Sequence, residues 1–221
     1  MQLTIFNGSP RGTGGNSELL IQWLVEGVRQ NPDINIDILY LNKIGDHENF
    51  VNKFKIAESV LIVFPLYTDS MPGIVMAFFE KLQPLRKYMT GLRLGFVVHS
   101  GFPEALQSRY VEKYLVWLAD ELGADYFGTV VMGGSEGISM MPPGMIKKKR
   151  ALFNELGRRL PEVDIFDAAL VRKIAGMEKL GKFRAWCLRI VAKTGIINIY
   201  MNNKLKENNA FEERFAKPYA K

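Results

Sequence analysis

Ser59-Val60-Leu61-Ile62-Val63-Phe64 runs without polar interruption and stops at Pro65. A strand with one wet face alternates polar and apolar residues; a strand that does not alternate is covered on both faces, as in a parallel sheet with helices above and below. The rest of the chain falls into step with that element. Period-two and apolar runs predict further strands over 2–7, 34–41, 93–98 and 125–132. Helical spacing predicts helices over 17–30, 46–57, 108–122 and 145–160, and another that opens at Met71-Pro72 and ends near Leu82. Five strands alternating with five helices imply an open, doubly covered parallel sheet. Ligands of such sheets bind beyond the carboxyl ends of the strands, where the strand order reverses. That rule gathers residues 8–17, 65–72 and 99–104 into one region.

The first of these loops is the most informative. Gly8-Ser9-Pro10-Arg11-Gly12-Thr13-Gly14-Gly15-Asn16-Ser17 joins the first strand to the first helix. Turn N–H groups and the positive end of a helix dipole converge in such a loop, which makes it an anion site. Ser9, Thr13, Asn16 and Ser17 add polar side chains, and Arg11 adds a cation. A P-loop would need Lys before Ser17, and the dinucleotide fingerprint would need Gly in place of Ser17; neither is present. The loop therefore reads as a cradle for a phosphate monoester, against the alternative of a plain turn capped by Asn16 or Ser17.

Composition narrows the setting. The 221 residues are 48% hydrophobic, and no apolar run approaches the ~20 residues that span a bilayer. Met1 is almost at once in a strand, with no basic segment before it, and a single cysteine, Cys187, excludes an internal disulfide and a cysteine-ligated metal or iron–sulfur site within one chain. The expectation is a cytoplasmic protein with no metal. Of the formal net charge of +6, residues 1–161 carry +1 and residues 162–221 carry +5. The basicity thus belongs to the tail, which argues against a nucleic-acid-binding role. The expected organisation is a cradle domain over 1–161 and a helical, basic extension over 162–221.

Asn7-Gly8-Ser9-Pro10-Arg11 with Asn16-Ser17, Phe64-Pro65-Leu66-Tyr67, and a helix from Met71-Pro72 to Phe79-Glu80-Lys81-Leu82 resemble the flavodoxin-like NAD(P)H-dependent FMN reductase and quinone reductase superfamily. The resemblance spans roughly 2–160. It implies a flavodoxin-like five-stranded parallel sheet, bound FMN, and hydride transfer from NADPH or NADH through the flavin to a small acceptor such as a quinone, a flavin, a nitro or an azo compound. It places Ser9, Arg11, Asn16 and Ser17 on the FMN phosphate. Pro65, Leu66, Tyr67, Thr68 and Met71 run along the ring, with backbone N–H groups at its polar edge and Pro72 at the first helical position. Ser100, Gly101 and Phe102 close the other side. It also implies a homodimer. The chemistry would reside on the flavin, with His99 as the one candidate for proton transfer. Two other readings stand beside this one: a non-enzymatic FMN electron carrier, and a flavin-free docking protein that works through its basic tail.

The remaining polar residues have plainer readings. Asp69, Glu104 and Glu136 read as solvated carboxylates, and Lys147-Lys148-Lys149-Arg150 as an exposed helix face rather than a receptor for the 2′-phosphate of NADPH. Met140-Met141 fits a cleft border or the core. In the tail, Phe183, Trp186, Cys187, Ile190 and Val191 form an apolar stripe on a basic helix. It is expected to pack on protein, its own domain or a second subunit, in preference to a membrane.

Overall fold

A computed structural model of the chain describes residues 1–138, 141–160 and 165–217, with the side chains at 183–185, 187, 188, 196, 197 and 200 outside the description. Strands β1 (Gln2–Asn7), β2 (Asn35–Tyr40), β3 (Ser59–Pro65), β4 (Arg93–His99) and β5 (Asp125–Met132) alternate with helices α1 (Asn16–Val28), α2 (His47–Ile56), α3 (Gly73–Lys81), α4 (Arg109–Leu122) and α5 (Pro143–Arg159). All strand pairs are parallel, in the order β2-β1-β3-β4-β5. This is the flavodoxin-like order, and the chain reverses direction across the sheet between β1 and β3.

β3 is buried along its whole length. Its side chains alternate between two cores. Val60, Ile62 and Phe64 face α2, α3 and α4 together with Phe6, Phe54, Phe78 and Phe96. Leu61 and Val63 face α1 and α5 together with Ile5, Leu24, Phe127 and Phe153. Each fully buried side chain of this size contributes about 1.5–3 kcal/mol, so the two layers are held to the sheet independently.

Two details differ from expectation. Pro72 precedes α3 and is not its first helical residue. Its ψ of 147° is extended, and its carbonyl accepts the N–H groups of Val75 and Met76 at 2.9 and 3.1 Å, as an N-cap does. The sheet unit also continues past residue 161, through Lys179. Asp167 caps α6 (Ala168–Ala175) by accepting from the Ala169 and Leu170 N–H groups. Phe166, set edge-on to Phe127 at 4.9 Å, enters the core with Leu170 and Ile174. Leu180–Lys221 forms a second compact unit, with α7 (Lys182–Lys193) and α8 (Ile196–Glu207).

α1 and α5 cross with their backbones almost in contact. A Cβ at Gly27 would stand 1.9 Å from the Asn154 carbonyl oxygen, and one at Gly157 2.0 Å from that of Leu24. Backbone cannot rotate away as a side chain can. Gly27→Ala and Gly157→Ala are therefore expected each to lower unfolding stability by about 3 kcal/mol, measured by urea denaturation of the full chain.

Candidate functional site

Four strand-end segments converge at the carboxyl edge of β1, β3, β4 and β5. The cleft there is lined by Ser9, Arg11 and Asn16, by Pro65, Leu66 and Tyr67, by His99, Ser100 and Gly101, and by Ser135 and Glu136. The next residues along the chain, Asp69, Ser70 and Met71, border a larger and more apolar groove of about 600 Å³ between α3 and α4, where Tyr110, Tyr114 and Trp117 are exposed. The smaller cleft holds the convergent polar groups.

No side chain caps α1. Gly15 occupies its N-cap position, the Asn16 amide donates instead to the Ser135 carbonyl at 2.9 Å, and the Ser17 hydroxyl is turned to His99. The reading of an ordinary capped turn is thereby excluded, and the first N–H groups of the helix stay open toward the cradle. Ser9 is 2% exposed, and its Oγ accepts the Arg11 N–H at 3.3 Å, which leaves its own hydrogen to donate. Arg11 is exposed and brings a positive charge; Glu136 brings the opposing one to the far wall. Glu18, in the first turn of α1, is held away by Asn7, Gln22 and Tyr40.

His99 stands behind this cradle, 3% exposed. The Ser100 carbonyl can only accept, so the Ser135 hydroxyl, 2.9 Å away, donates to it. Ser135 Oγ therefore accepts from His99 Nδ1 at 2.9 Å, which places the ring hydrogen on Nδ1. Nε2 is left as an acceptor, and Ser17 donates to it at 2.7 Å. Burial holds the ring neutral by lowering its pKa to about 3. The ring that was a candidate for proton transfer is thus neutral, with its one N–H engaged, and it ties α1 to the segment after β5. The Ser17 hydroxyl is fully buried and has spent its hydrogen on His99, so it presents no donor to a phosphate.

The wall after β3 is a tight turn. Tyr67 and Ser70 exchange backbone hydrogen bonds at 2.8 and 3.1 Å, and Thr68 and Asp69 between them hold φ of +49° and +63°. A left-handed β-branched residue is strained. The Leu66 and Tyr67 N–H groups are already used, the former on the His99 carbonyl at 2.7 Å. Thr68 and Asp69 keep the open N–H groups of this wall. Met71 is buried in the core, facing the larger groove, and Phe102 stays 42% exposed outside the cleft lining. Arg150 pairs with Glu26 through two bonds of 2.6 and 2.8 Å, which occupies one member of the basic run. Met140 lies outside the described residues. Ser135 is the participant that sequence reasoning passed over, although its glycine-rich segment follows the end of β5 just as the other loops follow their strands.

No family model matches the chain, and no curated protein matches it. Solved structures do. An FMN-dependent NADH-azoreductase from Bacillus anthracis, in complex with FMN, is 18% identical with a TM-score of 0.56, over 72% of this chain and 99% of its own. An NAD(P)H:quinone oxidoreductase from Methanothermobacter marburgensis is 13% identical with a TM-score of 0.58, over 74% and 98%. An NADH:FMN oxidoreductase in its apo form is 13% identical with a TM-score of 0.56, over 81% and 96%. At these identities the likeness establishes the flavodoxin-like fold.

The neutral ring has a consequence for acid stability. An unfolded His99 takes up a proton below about 6.5, whereas the folded one stays neutral down to about 3. Its contribution is therefore complete above pH 6.5 and is lost as pH falls from there toward 3. Replacing His99 by Gln is expected to flatten the fall of unfolding free energy in that window by up to one proton, or ~1.4 kcal/mol per pH unit, in urea melts compared with the parent chain.

Proposed function

We propose that the cleft binds FMN and that the protein is an FMN-dependent oxidoreductase, passing a hydride from NADPH or NADH to a small acceptor of the quinone, flavin, nitro or azo type. The observation that carries this reading is the uncapped N-terminus of α1 facing Ser9 and Arg11, at the point where the strand order reverses. The names of the structural neighbours, an azoreductase and two oxidoreductases acting with FMN or quinone, support the same chemistry.

The residues present fit the group. A Cβ at position 15 would come within 2.7 Å of Ser9 Oγ, so the glycine lets the start of α1 lie close against the hydroxyl that would share the phosphate with it. Ser100 Oγ is buried in the cleft wall without a hydrogen-bond partner, as suits a hydroxyl whose partner is a ligand. FMN, when bound, supplies the two-electron redox chemistry. Arg11, the Ser9 hydroxyl and the first N–H groups of α1 would hold its phosphate. Pro65, Leu66 and Tyr67 would line one side of the ring system, and the open Thr68 and Asp69 N–H groups would meet its polar edge, where negative charge gathers on reduction. Ser17 and His99 would act from behind, setting the angle of α1 and the position of Ser135. The chain's own part is thus to bind, orient and neutralise.

Two measurements test this. Visible absorption of the protein with FMN, taken anaerobically before and after NADPH and then NADH, should show bands near ~370 and ~450 nm that shift on binding and bleach with one of the two reductants. Binding with neither reductant effective would favour the electron carrier, and no binding would end the flavin reading. Arg11→Ala should weaken FMN roughly tenfold to a hundredfold while leaving riboflavin, which lacks the phosphate, within about twofold, by quenching of flavin fluorescence.

A further inference from the structure

The net positive charge of the chain lies entirely outside the sheet unit. Met1–Lys179 holds 20 Lys and Arg against 20 Asp and Glu, whereas Leu180–Lys221 holds nine against three. All of the net +6 is therefore carried by the second unit. α7, Lys-Phe-Arg-Ala-Trp-Cys-Leu-Arg-Ile-Val-Ala-Lys, contains no acidic residue. Along it, Trp186 and Ile190 recur at four-residue spacing and stand beside Lys182, Arg189 and Lys193, which recur at seven and four. At 100° per residue these make two adjacent stripes, one apolar and one basic.

The apolar stripe is exposed: Trp186 at 57%, Ile190 at 45% and Val191 at 40%, with Ile199 and Met201 of α8 each at 57%. None of the described side chains of this unit is buried.

We propose that this unit docks the protein on an anionic lipid surface. α7 lies in the plane of the interface, with Trp186, Ile190 and Val191 toward the acyl region and Lys182, Arg189 and Lys193 among the headgroups. Charge complementarity selects this occupant, because each basic residue near such a surface strengthens binding about fivefold. Trp favours the level where apolar chain meets headgroup, and basic side chains can snorkel outward from beside it. A nucleic acid would satisfy the cations but leave the exposed Trp, Ile, Val and Met side chains in water. Spanning is excluded for α7, whose 12 residues rise only about 18 Å against a hydrocarbon core of ~30 Å. No helix among the described residues is long and apolar enough to cross a membrane. Docking does not depend on flavin binding.

The test is co-sedimentation of the full-length protein with vesicles of phosphatidylcholine alone and of phosphatidylcholine with about 30% phosphatidylserine. Binding is expected to the anionic vesicles only, and to weaken sharply on raising salt from about 0.1 to 0.5 M. Trp186→Glu with Ile190→Glu should reduce it at least about tenfold, and so should Lys182→Glu with Arg189→Glu. Both pairs lie on exposed positions, so the urea midpoint of the sheet unit should hold. Absence of sedimentation with anionic vesicles, equal binding to neutral ones, or retention of binding by both double variants overturns the proposal. So does light scattering that shows a dimer dissociated by Trp186→Glu together with no vesicle binding, which would make a second copy the occupant.

Discussion

A backbone with no water on either side must find every hydrogen bond in its neighbours, and β3 is in that position. Its partners are β1 on one side and β4 on the other, both parallel to it and in continuous register. Parallel pairing forces each connection to cross a face of the sheet, and right-handed crossovers send successive helices to either face according to the direction of travel. The helix layers, the reversal at β1 and β3, and the gathering of loop ends at one edge all descend from that requirement. The cleft is where the two directions of winding part.

Behind the cradle, the side chains of Ser17, His99 and Ser135 are committed to one another. One imidazole has two nitrogens with opposite roles, and the Ser100 carbonyl decides which is which through Ser135. The result reaches Ser17, 82 residues away in the chain, and decides that its hydroxyl faces inward. Electrostatics at the cradle then comes from helix N–H groups, Ser9 and Arg11. The helix N–H groups and the buried Ser9 are held by the fold itself, which lowers the reorganisation that any negative charge there would require.

The sequence was most legible where pattern and burial coincide. β1 and β5 match their expected limits, and β3 and β4 each extend one residue further, because largely apolar runs bounded by turn residues leave little choice. The clustering of residues 8–17, 65–72 and 99–104 followed from the strand-end rule alone. What escaped was pairing at long range. Nothing near Ser17 indicates that its hydrogen is used by His99, and nothing near Pro72 distinguishes a cap from a first turn. The expected boundary at 161 followed the change in charge, whereas the real limit followed packing: Phe166, Leu170 and Ile174 complete the core beneath β5. Asp167 before Ala168-Ala169-Leu170 was a readable cap that the basic tail overshadowed.

The turn from Tyr67 to Ser70 sets two ordinary residues in the left-handed region, one of them β-branched. Glycine would adopt that conformation more easily, and would leave it more easily as well. Thr68 and Asp69 have fewer backbone alternatives once the Tyr67–Ser70 bridge has closed. The wall beside the cleft is therefore stiff before anything binds to it, and the entropy of arranging it is lost during folding instead of at each encounter. A rigid wall of this kind favours flat, rigid ligands and returns to the same shape after every release.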